Sequence, residues 1–290
     1  MIIVNIIGGL GNQMFQYAFY KALLAKGIEA KVDISCFKDY KVHNGYELER
    51  IFNINPVKAS MQECYDLGKP RNDIFHKILR KIGFSVKKNS YYEQGAIESL
   101  QYAPEKYDFT KDMYLSGYWA TPKWFSDIDK DIRNDFIFSN KLDDENKRIE
   151  EDILNSNSVS LHVRRGDYLK YDIYQGICTI EGYYTKAIRY ISERVENAKF
   201  FIFSNDIEYC KNNLSIENIR YISNNVGLNS YKDMYLMTKC KHNIVANSSF
   251  SFWGGQLNNN YYKIVVRPHK FLNLAYDKDD IFPDNWIKIK

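Results

Sequence analysis

SLHVRRGDY, residues 160–168, is a short apolar run that ends abruptly in charge. Val159–Val163 has the length and β-branched content of a buried strand. Arg164, Arg165, Gly166 and Asp167 follow without a spacer. Four further apolar runs follow in the same half: Phe200–Phe203, Arg220–Ile222, Asn243–Ala246 and Ile264–Val266. Helix-like segments separate them, near Gly182–Glu196, Asp206–Asn213, Ser230–Cys240 and Ser249–Leu257. In the first, Tyr184, Ala187, Ile188, Ile191 and Val195 follow the helical period. Strands alternating with helices predict a parallel, doubly wound sheet.

In such a sheet, ligands bind beyond the carboxyl ends of the strands. Here those ends carry His162, Arg164, Arg165 and Asp167, then Ser204-Asn205-Asp206, then Ser223-Asn224-Asn225, then Asn247-Ser248-Ser249-Phe250, then Arg267-Pro268-His269. Arginine presents a planar fork that matches phosphate oxygens in pairs. Ser248 and Ser249 stand where a helix starts, and the free N–H groups of a helix start also hold anions. Asn205 and Asp206 suit a base or ribose edge. The combination describes a site for a nucleoside diphosphate. Each Ser or Asp alone is equally an ordinary helix cap.

The amino-terminal part reads as a strand at Ile2–Ile7, a glycine turn, a helix over Gln13–Lys26 and a second strand near Ala30–Ile34. Residues 35–140 are irregular, with a further strand at Met113–Tyr118, and the charged, Asn/Ser-rich stretch Lys141–Ser156 reads as a linker. Domains are therefore expected at 1–150 and 151–290. Gly9-x-Gly11-x-x-Met14 is a near miss for a dinucleotide fingerprint, with Asp33 where the ribose acid falls. That supports a rival reading as a nicotinamide or flavin oxidoreductase, although bulky Met14 replaces the third glycine. A glycan- or nucleotide-sugar-binding protein without turnover is a third reading, with Tyr91, Tyr92, Tyr118 and Trp119 as either a sugar platform or core.

The 290 residues are 45% hydrophobic and 26% charged, and 40 basic against 36 acidic side chains leave a net charge of +4. That balance argues against nucleic acid as a partner. Five scattered cysteines suggest neither a disulfide framework nor a zinc site, and a reducing cytoplasm is expected. The opening MIIVNIIGG reads as a strand rather than a signal peptide, and no apolar run reaches the ~18 residues of a membrane span. DIDKD at 127–131 resembles a D-x-D metal signature, but Trp124, Phe125, Ile128 and Ile132 make it the solvated face of an amphipathic helix. The Arg165-Gly166-Asp167 triplet would need an exposed loop on a secreted protein to act in adhesion.

The blocks GGLGNQMFQYA, HVRRGDY and NSSFSFWGG stand in the order and spacing of the bacterial α-1,2-fucosyltransferases, glycosyltransferase family 11, which the chain resembles. YYTKAIRYI and the closing PDNWIKIK are also similar. The resemblance implies an α/β fold of GT-B type, two Rossmann-like domains facing across a cleft, with the last helix packing back on the first. It implies inverting transfer of fucose from GDP-L-fucose to a galactose hydroxyl of a glycan, in O-antigen or other surface polysaccharide synthesis, on a lipid-linked acceptor at the cytoplasmic side of the inner membrane. Donor contacts would come from His162, Arg164, Arg165, Asn205, Asp206, Asn247, Ser248, Ser249 and Phe250, with Gly11, Asn12 and Gln13 facing the sugar. Arg164 would stabilise the leaving diphosphate, so that no metal or cofactor is required. Asp167, then Asp172, then Glu181 are the candidate bases.

Overall fold

The computed structural model describes residues 1–39, 43–71, 89–139, 141–276 and 280–290. The chain divides into two compact units, Met1–Ile137 and Phe138–Lys290. The division falls ahead of the segment expected as a linker.

The first unit holds β1 (Ile2–Asn5), α1 (Leu10–Ala25), β2 (Ala30–Asp33), α2 (Leu48–Phe52), α3 (Met61–Asp66), β3 (Tyr91–Glu93), β4 (Met113–Ser116) and α4 (Asp129–Asp135). Its sheet has the order β2-β1-β4-β3, every pair parallel. Ile2, Ile3 and Val4 are fully buried, as a central parallel strand covered on both faces requires. Helix α1 buries most of its circumference, including Gln13 and Gln16. It ends where Gly27, at φ +74°, takes the left-handed turn and Ile28 N–H bonds back to Leu23. The DIDKD run straddles a 3₁₀ turn, Ser126–Ile128, and the start of α4, and Ile132 is buried beneath it. Asp129 pairs with Arg133 at 2.6 Å, while Asp127 and Asp131 are exposed.

The second unit runs α5 (Asp144–Leu154), β5 (Asn157–Val163), α6 (Thr185–Ser192), β6 (Ala198–Ser204), α7 (Ile207–Asn213), β7 (Ile219–Ile222), α8 (Tyr231–Lys239), β8 (His242–Ile244), α9 (Ser249–Gln256), β9 (Val265–Pro268) and β10 (Ile287–Ile289). Two sequence expectations are corrected here. The charged stretch 141–156 is no linker: Asp143 caps Asn146 N–H at 2.9 Å, and Ile149 and Ile153 bury one helical face. The chain closes on strand β10, paired parallel to β9, where a final helix was expected.

The six strands are all parallel, in the order β10-β9-β8-β5-β6-β7. Counted within the unit this is the doubly wound order, which reverses direction between β5 and β8. Alternate residues of β6 explain the winding. Phe200 and Ile202 join Val159, Leu161, Tyr184, Ala187 and Ile191 under α6. Phe201 and Phe203 face the other way, with Ile149, Ile153, Leu236 and Met237 of α5 and α8. The glycines of the WGG run let α9 close on its neighbours: a Cβ at Gly254 would lie 2.9 Å from Met237. The fold is of GT-B type, built from two Rossmann-like units.

Candidate active site

The switch point between β5 and β8 is where a crevice opens in a doubly wound sheet. The β5 end delivers His162 and Arg164, and the β8 end leads into Asn247, Ser248 and the start of α9. The sequence thus brings its basic pair and its serine pair to one edge.

His162 is 5% exposed, and burial, helped by the Arg164 charge, pushes its pKa down to about 3. It is therefore a neutral imidazole at physiological pH. Its carbonyl accepts from the Tyr184 hydroxyl at 3.0 Å, and its ring lies 5.7 Å from that of Phe250. Arg164 donates from Nη2 to Asp167 Oδ2 at 2.8 Å and lies 5.4 Å from the Tyr168 ring centroid. The same nitrogen is 2.8 Å from Asp167 Oδ1 without hydrogen-bond alignment. Three buried polar atoms here have no hydrogen-bond partner among the described residues: His162 Nδ1, Arg164 Nε and Asp167 Oδ1. Buried polar atoms are normally satisfied, so a cluster of exceptions at a ligand edge calls for an explanation.

Helix α9 starts from Ser248, whose backbone is extended (φ −140°, ψ 131°) and whose side chain makes no cap bond. Its hydroxyl hydrogen-bonds with Tyr168. Ser249 opens the first turn with half-buried Phe250 beside it. The first N–H groups of this helix therefore have no capping side chain from Ser248.

Several other predicted site residues are committed to building the edge. Arg165 Nε donates to Asp206 at 3.1 Å, and its guanidinium sits 3.7 Å from the Tyr209 ring centroid. Asp206 also caps α7, accepting from Tyr209 N–H at 3.2 Å. Asn205 Oδ1 accepts the Arg165 N–H at 3.0 Å, and its amide fills the space a Cβ at Gly166 would need. Asn247 is buried, and its Nδ2 donates to the Tyr174 and Phe271 carbonyls at 3.2 and 3.1 Å. Asp172 and Glu181 are exposed, on the loop after β5 and in the π-turn before α6.

The glycine turn is similarly locked. Gln13 is fully buried: Nε2 donates to the Gly8 and Gly45 carbonyls at 2.9 and 2.8 Å, and Oε1 accepts from Glu47 N–H at 2.9 Å. Its amide closes the turn and offers nothing to a sugar. Gly11 is buried in the first turn of α1, while half-buried Asn12 lays its amide 2.8 Å from the position of a Gly8 Cβ. Asp33, the ribose acid of the oxidoreductase reading, is 2% exposed and ion-paired with Lys69. It also accepts the Tyr114 hydroxyl at 2.7 Å and Ser35 N–H at 2.8 Å. Burial raises its pKa, but these bonds outweigh burial and hold the carboxyl below the usual range. Asp33 thus has no capacity left for a ribose. Of the four aromatics, Trp119 is core, stacked on Phe19 at 4.1 Å; Tyr91 stacks on Tyr114, Tyr92 packs edge-on to Tyr107, and Tyr118 is 39% exposed.

Two residues were missed in the sequence. Tyr168 stacks on Tyr174 at 4.3 Å and donates its hydroxyl to the Asn247 carbonyl at 3.1 Å, tying the β5 loop to the β8 loop. Its place directly after Arg-Gly-Asp was the available signal. Asp233, in the first turn of α8, has a carboxyl pushed up to about 7 by burial, against the opposing bond from Asn225 Nδ2 at 2.8 Å. No periodic or motif signal marked it. Among the described residues, no group of three or more His, Cys, Asp or Glu side chains is placed to hold a metal ion.

A doubly wound sheet whose switch point gathers a guanidinium, a neutral imidazole and a helix start has the donor groups that an anionic ligand requires. The whole chain, residues 1–290, matches the model of Glycosyl transferase family 11, and the protein belongs to that family of enzymes. It is 32% identical to an Escherichia coli alpha-1,2-colitosyltransferase over 302 residues, covering 100% of this chain and 99% of that one. It is also 32% identical to the Escherichia coli O-antigen biosynthesis glycosyltransferase WbnK, over 97% of this chain and 98% of the other. Among solved structures, POFUT1 in complex with GDP superposes with a TM-score of 0.51 at 14% identity, over 92% of this chain and 98% of that one, a likeness of fold.

Proposed function

We propose that the chain is an inverting α-1,2-fucosyltransferase that moves L-fucose from GDP-fucose to a galactose hydroxyl of a bacterial surface glycan. The observation that carries this reading is the pair of unsatisfied nitrogens, Arg164 Nε and His162 Nδ1, buried at the switch point beside the start of α9. Arg164 then grips the diphosphate with its fork, and the first N–H groups of α9 with Ser248 and Ser249 hold the other oxygens. His162, neutral, orients against the phosphate with Phe250 at its side. Asp233 supplies a carboxylate for the nucleobase: guanine alone among the common bases offers adjacent N–H donors that match one. Arg165, Asn205, Asp206 and Asn247 hold the edge in shape.

In the reaction the acceptor oxygen attacks the anomeric carbon from the face opposite the diphosphate. The carbon–oxygen bond to GDP breaks, and its electron pair goes to the β-phosphate. Arg164 and the helix start face that developing charge, the arrangement that contributes most to such catalysis. They supply the positive charge a metal would otherwise bring, so we expect turnover in EDTA. The acceptor proton passes to a carboxylate. The Arg164–Asp167 bond supports Asp167 as the group that orients the arginine, which leaves exposed Asp172 as the base candidate nearest the site loop. The acceptor is carried on lipid at the cytoplasmic face of the membrane; among the described residues no helix is long and apolar enough to cross one.

A second donor has a specific basis. The relative matched along the entire chain is named for colitose, which is fucose without its 3-hydroxyl. Initial rates with GDP-fucose and GDP-colitose on a β-galactoside acceptor, with the linkage read by NMR, decide between them. Faster transfer from GDP-fucose to the galactose 2-hydroxyl supports the proposal. Exclusive use of GDP-colitose replaces the donor, and transfer to any other hydroxyl overturns the linkage.

A further inference from the structure

The opposite, amino-terminal edge of the second sheet carries a feature the transferase reading does not use. A cavity of about 530 Å³ opens there beside the starts of β5 and β8, lined by Lys239, Lys241, His242, Asn260, Leu154 and Tyr262. Tyr261 and Tyr262 are 89% and 81% exposed, more than any other large hydrophobic residue among those described, and Leu154 is 57% exposed.

The loop that displays these tyrosines is firmly built. Buried Asn258 donates to the Cys240 carbonyl and to Asn243 Oδ1, both at 2.7 Å. Asn260 donates to the Lys241 carbonyl at 3.0 Å and accepts Tyr262 N–H at 3.2 Å. Lys263 Nζ donates to the Gly255 and Asn258 carbonyls at 3.0 and 2.7 Å. The two tyrosine rings meet edge to face at 5.0 Å. Two aromatic rings are thus held in solvent by a rigid loop.

The polar groups at the cavity are chiefly donors. His242 Nδ1 accepts the Ile264 N–H at 3.0 Å, which places the ring proton on Nε2. Lys241 Nζ donates to the neutral Asn157 Oδ1 at 3.0 Å and has no carboxylate within ion-pair distance among the described residues. Lys239 lies 3.9 Å from Glu150, a loose pair, and 4.8 Å from the Tyr235 ring centroid. Donors of this kind suit a phosphate, and the rim of Tyr261, Tyr262 and Leu154 suits the boundary between headgroups and acyl chains.

We propose that this corner docks the enzyme on an anionic phospholipid surface, with Tyr261 and Tyr262 seated at headgroup depth and Lys239 and Lys241 against lipid phosphates. The donor edge, at the other ends of the same strands, then stays open. The docking gives a place to the lipid-borne acceptor of the proposed function and rests on that reading only for its purpose. Its chemistry stands on the patch alone.

The test is co-sedimentation of the full chain with phosphatidylcholine vesicles, with and without phosphatidylglycerol. Binding is expected only when the anionic lipid is present. Tyr261→Ser with Tyr262→Ser, and separately Lys239→Gln with Lys241→Gln, should each lower the partition coefficient about tenfold. Transfer to a water-soluble acceptor should be unchanged in both, which also shows that they fold. Tyr261→Gln alone, at the more exposed of the two tyrosines, serves if a double variant misfolds. Equal binding to neutral vesicles, no binding of the wild type, or unaltered binding of the variants overturns the proposal. Displacement by millimolar glycerol 3-phosphate also overturns it, and makes the cavity a site for a free phosphate ester. Loss of transfer with vesicle binding intact would count against the catalytic reading alone.

Discussion

Replacing Arg164 with alanine removes a guanidinium whose Nε is buried at the switch point without a hydrogen-bond partner among the described residues, and the consequences for folding and for catalysis separate cleanly.

 The Arg164 side chain is 24% exposed and its carboxylate partner Asp167 is 43% exposed, so the pair stands in solvent-screened surroundings. Such a pair contributes about 0–1 kcal/mol to stability, and Arg164→Ala should lower the melting temperature only slightly. Catalysis should respond quite differently. A preorganised donor aimed at developing charge contributes roughly 2–4 kcal/mol to the transition state. At about 1.4 kcal/mol per decade, that is a fall of roughly 30- to 1000-fold in kcat/KM. The assay is GDP release at saturating acceptor, with the GDP-fucose concentration varied. Arg164→Lys keeps the charge but loses the planar fork, and should recover only a small part of the rate. Activity of Arg164→Ala within a few-fold of wild type, with the fold intact, would refute the assignment.

Other perturbations test neighbouring parts of the account. Gln13→Ala strips buried partners from Gly8, Gly45 and Glu47 and should cost about 1–3 kcal/mol of stability in urea denaturation; no change would mean the turn is held in another way. Lys69→Met leaves the Asp33 carboxylate buried without its cation and should cost about 3–5 kcal/mol by the same measurement. His162 has a folded pKa of about 3, below its unfolded value of about 6.5. Its contribution to stability is therefore complete above pH 6.5 or so and is lost as pH falls toward the folded value. His162→Phe should flatten that part of the pH–stability curve, and an unchanged slope would contradict the buried neutral imidazole. Gly166→Ala places a Cβ 2.2 Å from Asn205 Nδ2, so the amide must leave the Arg165 N–H; GDP binding should weaken several-fold by calorimetry.

The ends of the strands were legible because each apolar run stops at polar residues. The run-and-stop pattern located β5, β6, β7, β8 and β9, and with them the edge that gathers Arg164 and Ser248. What the side chains do at that edge was less legible. Arg165, Asn205 and Asp206 are polar residues at strand ends, as ligand contacts are, yet they bond to one another across 40 residues of sequence or more. Gln13 at the mouth of a helix looks like a ligand reader, but its partners Gly45 and Glu47 lie more than 30 residues away. Long-range partners leave no local signal. The same reason hid α5, whose many charges outnumber the two isoleucines that bury it, and β3 and β10, three-residue strands at sheet edges where no periodicity can develop.

The most direct test of the central claim is thermal stabilisation of wild type and Arg164→Ala in EDTA, with GDP, GDP-fucose, UDP or NAD added singly. A ligand at a hundredfold over its Kd adds about 2.7 kcal/mol of stability. The account predicts stabilisation of the wild type by GDP and GDP-fucose, little by UDP or NAD, and loss of the effect in Arg164→Ala. Stabilisation by NAD alone, or an equal GDP response in the variant, would contradict it.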